Sequence, residues 1–482
     1  MTDLNPYQNL NQQFINGIWC TGQSSRETVN LNPYTQDEIH RLHNASTADV
    51  DAAYAAASQA QSIWEDTQPS EKMRLIQALS DIVCSRREEI ISWLIQESGS
   101  TRLKANIEVD AALGIIQEAH TFPLRVHGEI LATNVPNQQS SVYRKALGVI
   151  AVISPWNFPF HLSMRSVITG LATGNTIVLK PASDTPVTGG TLLAKLCEEA
   201  CFPAGTINVV VGAGSEIGDY FVTHQTPSLI SFTGSTAVGK RVGELAVGGQ
   251  YIKRVALELG GNAPMVVLDD ADLDKAVDLT LLGRFLHQGQ ICMSTNRVIV
   301  DAKIYDAFVQ RLTAKVQEIA VGDPNIMGNL VGPIINQSQI ENVERIIAQA
   351  KTDGAKLIAG GATQNNIIPP HVFIDVNPNT ALAREESFGP VLPVIKADNE
   401  QHALILANDT EYGLASAVCT EDRARGVRFA LKLNAGMTHI NNISVADHAN
   451  APFGGEKNSG LGRFNGQWIL EEFTRTHWIT TQ

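Results

Sequence analysis

Long apolar runs are missing from this chain. No stretch is long and apolar enough to span a bilayer, and the opening Met1-Thr2-Asp3-Leu4-Asn5-Pro6-Tyr7 lacks the basic region and apolar segment of a secretory leader. Positive charge is also scarce: 36 Lys and Arg stand against 49 Asp and Glu, for a formal charge of −13, and no basic cluster tracks a polyanion. A nucleic-acid partner is therefore not expected. Cysteine is thin as well. Cys20, Cys84, Cys197, Cys201, Cys292 and Cys419 show neither metal-knuckle spacing nor the density of a disulfide framework, and the 12 histidines form no metal-ligand constellation. A cytoplasmic chain with no bound metal and no membrane contact is expected. No low-complexity tract or internal repeat is present. What the chain has is apolar residue, 44% of 482 positions, enough to bury more than one core, so two or three domains are expected.

An irregular opening with Asn16-Gly17 and Asn32-Pro33 gives way near Ser46 to Ala-rich helical sequence reaching about Glu118, with Asp49 or Thr47 capping its first helix. The runs Ile177-Val178-Leu179 and Ile207-Asn208-Val209-Val210-Val211 are separated by helical sequence from Thr191 to Ala200. Strand, helix, strand favours a parallel sheet with crossover helices. A third unit starts at Leu229-Ile230-Ser231-Phe232 and turns through Thr233-Gly234-Ser235-Thr236 into a helix. After Gly261 the pattern restarts at Ala263, with a helix to about Gln288, a strand at Arg297–Val300, helices over Ile304–Ile319 and Ile340–Lys351, and further βα units to about Met437. The fold class is α/β, with two such domains. Ser141–Lys145 and Thr476–Thr481 look like strands of a small separate sheet, whose edges are covered by a partner subunit or paired within the chain.

The pair that carries most chemistry is Cys292, in Gly289-Gln290-Ile291-Cys292, and Glu258, in Glu258-Leu259-Gly260-Gly261. A thiolate adds to a carbonyl carbon, and a carboxylate activates the thiol or the water that later releases an acyl group. Asn157, in Ser154-Pro155-Trp156-Asn157-Phe158-Pro159, is either a loop cap or, with the Cys292 N–H, a donor to the developing oxyanion. Gly234-Ser235-Thr236-Ala237-Val238-Gly239 opens a helix whose N–H groups suit a pyrophosphate, and Gly212-Ala213-Gly214-Ser215-Glu216-Ile217-Gly218 resembles the usual dinucleotide fingerprint better by letters, a weak signal since Gly-rich strand exits are common. Lys180, at a strand exit, is either a solvated surface lysine or a contact to a ribose hydroxyl or phosphate. His161 and His287 are assigned ordinary packing or surface roles.

Six motifs in order, Ser154–Pro159, Phe232-Thr233-Gly234-Ser235, Glu258–Gly261, Gly289–Cys292, Glu386-Ser387-Phe388-Gly389-Pro390 and Pro452-Phe453-Gly454-Gly455, resemble the aldehyde dehydrogenase superfamily over essentially the whole chain. The resemblance implies a Rossmann-like cofactor domain (1–124 and 145–257), an α/β catalytic domain (258–440), a returning segment (441–469) and a small β oligomerisation sheet (125–144 and 470–482). It implies Cys292 as nucleophile, Glu258 as general base and Asn157 as oxyanion donor. Cofactor contacts are implied at Ser154, Pro155, Trp156, Lys180, Ser183, Gly214, Phe232, Gly234, Ser235, Gly260, Glu386 and Phe388. Ser183 stands where strictly NAD-dependent relatives usually carry Glu; a Ser tolerates a 2′-phosphate, so use of both NAD and NADP is expected. Asp184 beside it either restores some repulsion or turns away.

Ser183–Gly190 and Asn450–Gly460 resemble the bacterial aryl-aldehyde branch, which includes benzaldehyde and vanillin dehydrogenases. That placement implies a substrate pocket of Phe158, Leu162, Arg165, Ile291, Met293 and Phe453. Arg165 also resembles a carboxylate-binding arginine of succinic-semialdehyde dehydrogenases, but Leu286 replaces their second arginine; the alternative is a structural Arg165 paired with an acid. A non-redox cysteine esterase is the competing enzyme class, and a non-catalytic descendant the competing non-enzyme. A homodimer or homotetramer is expected.

Overall fold

The computed structural model describes residues 5–482, and among them the strands form four sheets. The Ala-rich N-terminal region folds as four consecutive helices, Thr47–Asp66, Pro69–Ser85, Arg87–Ser98 and Arg102–His120. Ser46, rather than Thr47 or Asp49, caps the first: its hydroxyl accepts from the Asp49 N–H while the Asp49 carboxylate accepts from the Ser46 N–H. Asp49 thus acts from the third helical position, completing a reciprocal capping box.

An eight-stranded sheet has a parallel centre ordered Arg254–Glu258, Leu229–Thr233, Val149–Ile153, Thr176–Lys180, Ile207–Val209. Such strands are buried on both faces and read as near-continuous apolar runs, as the wholly buried Thr176–Lys180 and Leu229–Thr233 do. Both edges are antiparallel. On one side the opening segment, expected to be irregular, supplies the hairpin Gln13–Ile15 and Ile18–Cys20. Asn16 and Gly17 both have positive φ, 55° and 77°, so Asn-Gly is a two-residue hairpin turn, whose strands are too short to show an alternating pattern. On the other side Gly460–Leu461 pairs with Leu257 and Glu258.

The second sheet has seven strands ordered Lys356–Ala359, His371–Ile374, Val391–Ala397, Thr295–Asp301, Ala263–Val267, Ala415–Cys419, Met437–Ile440, all parallel but the first pair. A third sheet pairs Thr474–Thr481 with Gln139–Ala146 within one chain, with Trp478 opposite Val142, and adds Glu129–Leu131. That last strand, three residues long, went unread in the sequence. No helix among the described residues is long and apolar enough to cross a membrane.

Candidate active site

The C-terminal ends of three strands of the large sheet, Val149–Ile153, Leu229–Thr233 and Arg254–Glu258, meet the Cys292 loop, the Glu386–Phe388 loop and the helix Gln337–Thr352 around a cavity of about 220 Å³. The strand Val149–Ile153 runs into Ser154–Phe158, and the helix Pro159–Ala172 follows. No side chain of Phe158 caps that helix; the Glu108 carboxylate does the work, accepting from the Phe160 and His161 N–H groups at 2.9 and 3.2 Å. Asn157 lines the cavity, and its side-chain amide donates to the Gln290 carbonyl at 3.0 Å. One of its two amide N–H groups remains unclaimed.

Cys292 lies past a sharp reversal. His287, Gln288 and Gly289 all hold positive φ (52°, 58°, 74°), a conformation that costs about 1–3 kcal/mol for each non-glycine residue and persists only where surroundings impose it. Here Gln288 donates to the Gly99 and Pro333 carbonyls, and the Gln290 side chain accepts from the Ile335 N–H. The Cys292 thiol is pushed well above its ordinary value, chiefly by burial and then by the negative charges of Glu258 and Glu386; Arg165 and the Met293 N–H pull the other way.

Glu258 ends its strand almost wholly buried, and neither carboxylate oxygen has a hydrogen-bond partner. Burial raises it to about 8, the Arg165 charge opposing. It is brought to the cysteine by a backbone contact that only glycine permits: a Cβ on Gly261 would sit 2.2 Å from the Cys292 carbonyl oxygen. Arg165 is fully buried, and none of its guanidinium nitrogens has a hydrogen-bond partner. It lies between the rings of Phe453 and Phe464, 4.6 and 4.3 Å from their centroids, so the acid-paired structural arginine is not what the fold contains.

On the other wall, Thr233, Gly234 and Ser235 line the cavity ahead of the helix Thr236–Gly248, whose first N–H groups receive no side-chain cap from Ser235. Open N–H groups at a 13-residue helix facing a cavity fit a phosphate. Glu386 also lines it, accepts from the Gly261 N–H at 2.8 Å and is raised to about 7 by burial. Trp156 lies edge-on to Phe388, ring centroids 5.3 Å apart.

The aldehyde dehydrogenase family model matches residues 19–479. The chain belongs to the aldehyde dehydrogenase family. It is 53% identical to a vanillin dehydrogenase of Corynebacterium glutamicum over 468 residues, covering 97% of each chain. It is 46% identical to a benzaldehyde dehydrogenase of Bacillus subtilis, covering 99% of this chain and 98% of the other. A crystal structure of an NAD-dependent benzaldehyde dehydrogenase from Corynebacterium glutamicum superposes with a TM-score of 0.91 at 49% identity, covering 100% of this chain and 98% of that one.

In this member of the family the residues singled out in the sequence divide into two groups. Pro155, Trp156, Asn157, Leu162, Gly234, Ser235, Gly260, Cys292, Glu386 and Phe388 line the cavity. Ser154 lies behind the wall, its hydroxyl accepting from Ser163, and Phe232 is in the core of the large sheet. Lys180 is not solvated: it is buried at its strand exit, donates to the Pro181 carbonyl and is lowered to about 8 by desolvation. Ser183 is half-buried in the following turn, and Gly214 opens a short π-helical turn, Gly214–Gly218. Asp184 accepts from the Asn336 side chain at 3.1 Å, which commits its carboxylate to the cap of the helix Gln337–Thr352. Phe158, Ile291, Met293 and Phe453 pack in the hydrophobic cluster against which Cys292 lies. His161 and His287 are both buried, and His161 Nε2 is 3.1 Å from Asp447.

Sequence reading missed Gln339 and Asn342, which reach the cavity from the helix Gln337–Thr352, and Lys104 and Glu108 on a helix far upstream. The first two are polar residues on an amphipathic helix, where solvent exposure is the ordinary fate. Lys104 and Glu108 sit four apart, the spacing of a surface ion pair, and nothing local marks them as buried.

Proposed function

We propose that the protein oxidises an aromatic aldehyde to its carboxylic acid with NAD or NADP, through a covalent intermediate on Cys292. The single observation that carries this reading is the meeting, around one cavity, of Cys292, the amide of Asn157 and Leu259-Gly260, the residues that directly follow Glu258, opposite an uncapped helix start. Cys292 sulfur adds to the carbonyl carbon, and its proton leaves to a base as the substrate displaces water. The oxygen of the resulting thiohemiacetal is held by the free Asn157 N–H and the Cys292 backbone N–H. The nicotinamide cofactor, when bound, supplies the acceptor for the hydride that leaves the substrate carbon. Ser235 and the start of its helix would hold the pyrophosphate, Lys180 and Ser183 the adenosine ribose, and Glu386 with Phe388 the nicotinamide half; Ser154, Pro155, Trp156, Gly214, Phe232 and Gly260 shape the cradle. Once the acyl group is a thioester, Glu258 takes a proton from water, and hydroxide displaces the thiolate.

Leu162 in the cavity wall, backed by the hydrophobic cluster of Phe158, Ile291, Met293 and Phe453, gives apolar and aromatic surroundings suited to a flat ring. Arg165, the one charged group among them, adds an unpaired cation beside the reaction centre. The vanillin and benzaldehyde dehydrogenases similar to this chain support the aryl assignment, and Leu286, apolar and buried, supports it over an acidic aldehyde. Ser183 supports use of both cofactors. We further divide the chain at the ranges the resemblance implied, place it in the cytoplasm on the strength of its six free cysteines, and assign it a homodimer or homotetramer built on the small sheet.

Cys292→Ala should abolish NAD(P)H production from benzaldehyde while leaving cofactor binding, read by quenching of tryptophan fluorescence, unchanged. Retained turnover would remove Cys292 from the reaction.

A further inference from the structure

Beneath the loop that carries Asn157 lies an ion pair with no contact to the cavity. Lys104 and Glu108 are both fully buried on the helix Arg102–His120. The three ammonium protons of Lys104 are all used, on Ser100 Oγ at 2.9 Å, Glu108 Oε2 at 2.5 Å and the backbone carbonyl of Asn157 at 2.6 Å. Its ammonium also stands 4.2 Å from the centroid of the Phe158 ring. The second Glu108 oxygen accepts from the Phe160 and His161 N–H groups.

One ion pair therefore grips the loop and the start of the helix that follows it, by the carbonyl at 157 and by the N–H groups at 160 and 161. The far end of Asn157 is tied to the Gln290 carbonyl, two residues before Cys292. Two buried charges are a costly way to hold a loop that apolar packing could support, and charge-assisted hydrogen bonds fix direction where packing fixes only volume.

We propose that Lys104, locked by Glu108, is a positioning residue for the oxyanion donor: it sets the orientation of the Asn157 peptide and so aims the free side-chain N–H at the substrate oxygen. This rests on the reading of Asn157 as that donor. A donor displaced by a fraction of an ångström from the oxygen it must meet loses most of its effect on the transition state, whereas cofactor binding on the other wall is untouched.

The test is a double-mutant cycle. Lys104→Met removes the clamp; Lys104→Met/Glu108→Gln does so while leaving no uncompensated buried charge, and is the variant measured if the single one does not fold. Each is combined with Asn157→Ala, and pre-steady-state NADH formation from benzaldehyde is followed beside NAD binding. We expect the clamp variant to slow NADH formation about 10- to 100-fold with NAD affinity unchanged, and to have less than about a twofold effect once Asn157 is alanine. Equal losses in both backgrounds, or a parallel fall in NAD affinity, would overturn the positioning role. If Asn157→Ala alone is fully active, the assignment of Asn157 fails instead, and the two failures are distinct.

Discussion

A carboxylic acid stripped of water and of hydrogen-bond partners resists ionisation, and Glu258 is such a group, raised by burial to about 8. As a base it acts only when ionised, so thioester hydrolysis should rise with pH toward about 8 and then level. In Glu258→Gln that limb should vanish and hydrolysis slow by about 10²- to 10⁴-fold, leaving an acyl adduct on Cys292 visible by intact-mass spectrometry. Rapid hydrolysis without an adduct would take the base role from Glu258. The same burial makes a statement about stability. The folded state prefers the neutral acid, so Glu258 is harmless in acid and destabilises progressively as pH climbs from 4.5, its unfolded value, through about 8. Glu258→Gln should therefore melt higher than the parent at pH 9 and converge with it near pH 5, by differential scanning calorimetry. A gap that widened toward acid would contradict the assigned environment.

At the scale of elements, the proposed use of both cofactors is assigned to the turn between the strand Thr176–Lys180 and the helical turn that begins at Val187. Two carboxylates pin it: the half-buried Asp184 is held by Asn336, and the buried Glu97 accepts from the Val187 and Thr188 N–H groups at 2.9 and 2.6 Å. With both carboxylates engaged there, the proposal rests on Ser183 as the residue whose side chain tolerates a 2′-phosphate. Ser183→Glu introduces a negative charge with no compensating partner and should lower kcat/KM for NADP by about tenfold or more while sparing NAD, the scale of one unrelieved like-charge contact. Equal loss with both cofactors would show that the turn, not the charge, had been damaged.

For the whole molecule, the outstanding feature is the outer strand of the small sheet. In Thr474–Thr481 seven of eight residues are exposed, Trp478 and Ile479 among them at 65% and 40%, and Ile130 across the sheet is 90% exposed. An eight-residue unpaired edge bearing a tryptophan is a template for another strand, and proteins ordinarily cover such edges. Trp478→Glu combined with Ile130→Asp should lower the mass in sedimentation velocity without altering the far-UV circular dichroism. An unchanged mass would move the interface elsewhere.

Sequence by itself determined part of both large sheets, the strands at Thr176–Lys180, Ile207–Val209, Leu229–Thr233, Ala263–Val267 and Thr295–Asp301, because central parallel strands are apolar on both faces. It also determined the chemical candidates: Cys292, Glu258, Asn157 and Glu386 stand in ordered motifs that need no coordinates to find. What it could not hold was anything that depends on which distant surfaces meet. The hairpin at Asn16-Gly17 and the strand Glu129–Leu131 are too short for periodicity to show. The burial of Lys180 and the missing partner of Arg165 are properties of the packed state, since exposure and pairing do not exist until other elements close over a side chain. The same is true of Lys104 and Glu108, whose spacing would serve equally on a solvated helix face. Tertiary structure alone turned that ordinary pair inward and set it beneath the active-site loop, because a charge takes its role from the dielectric and the partners that folding puts around it.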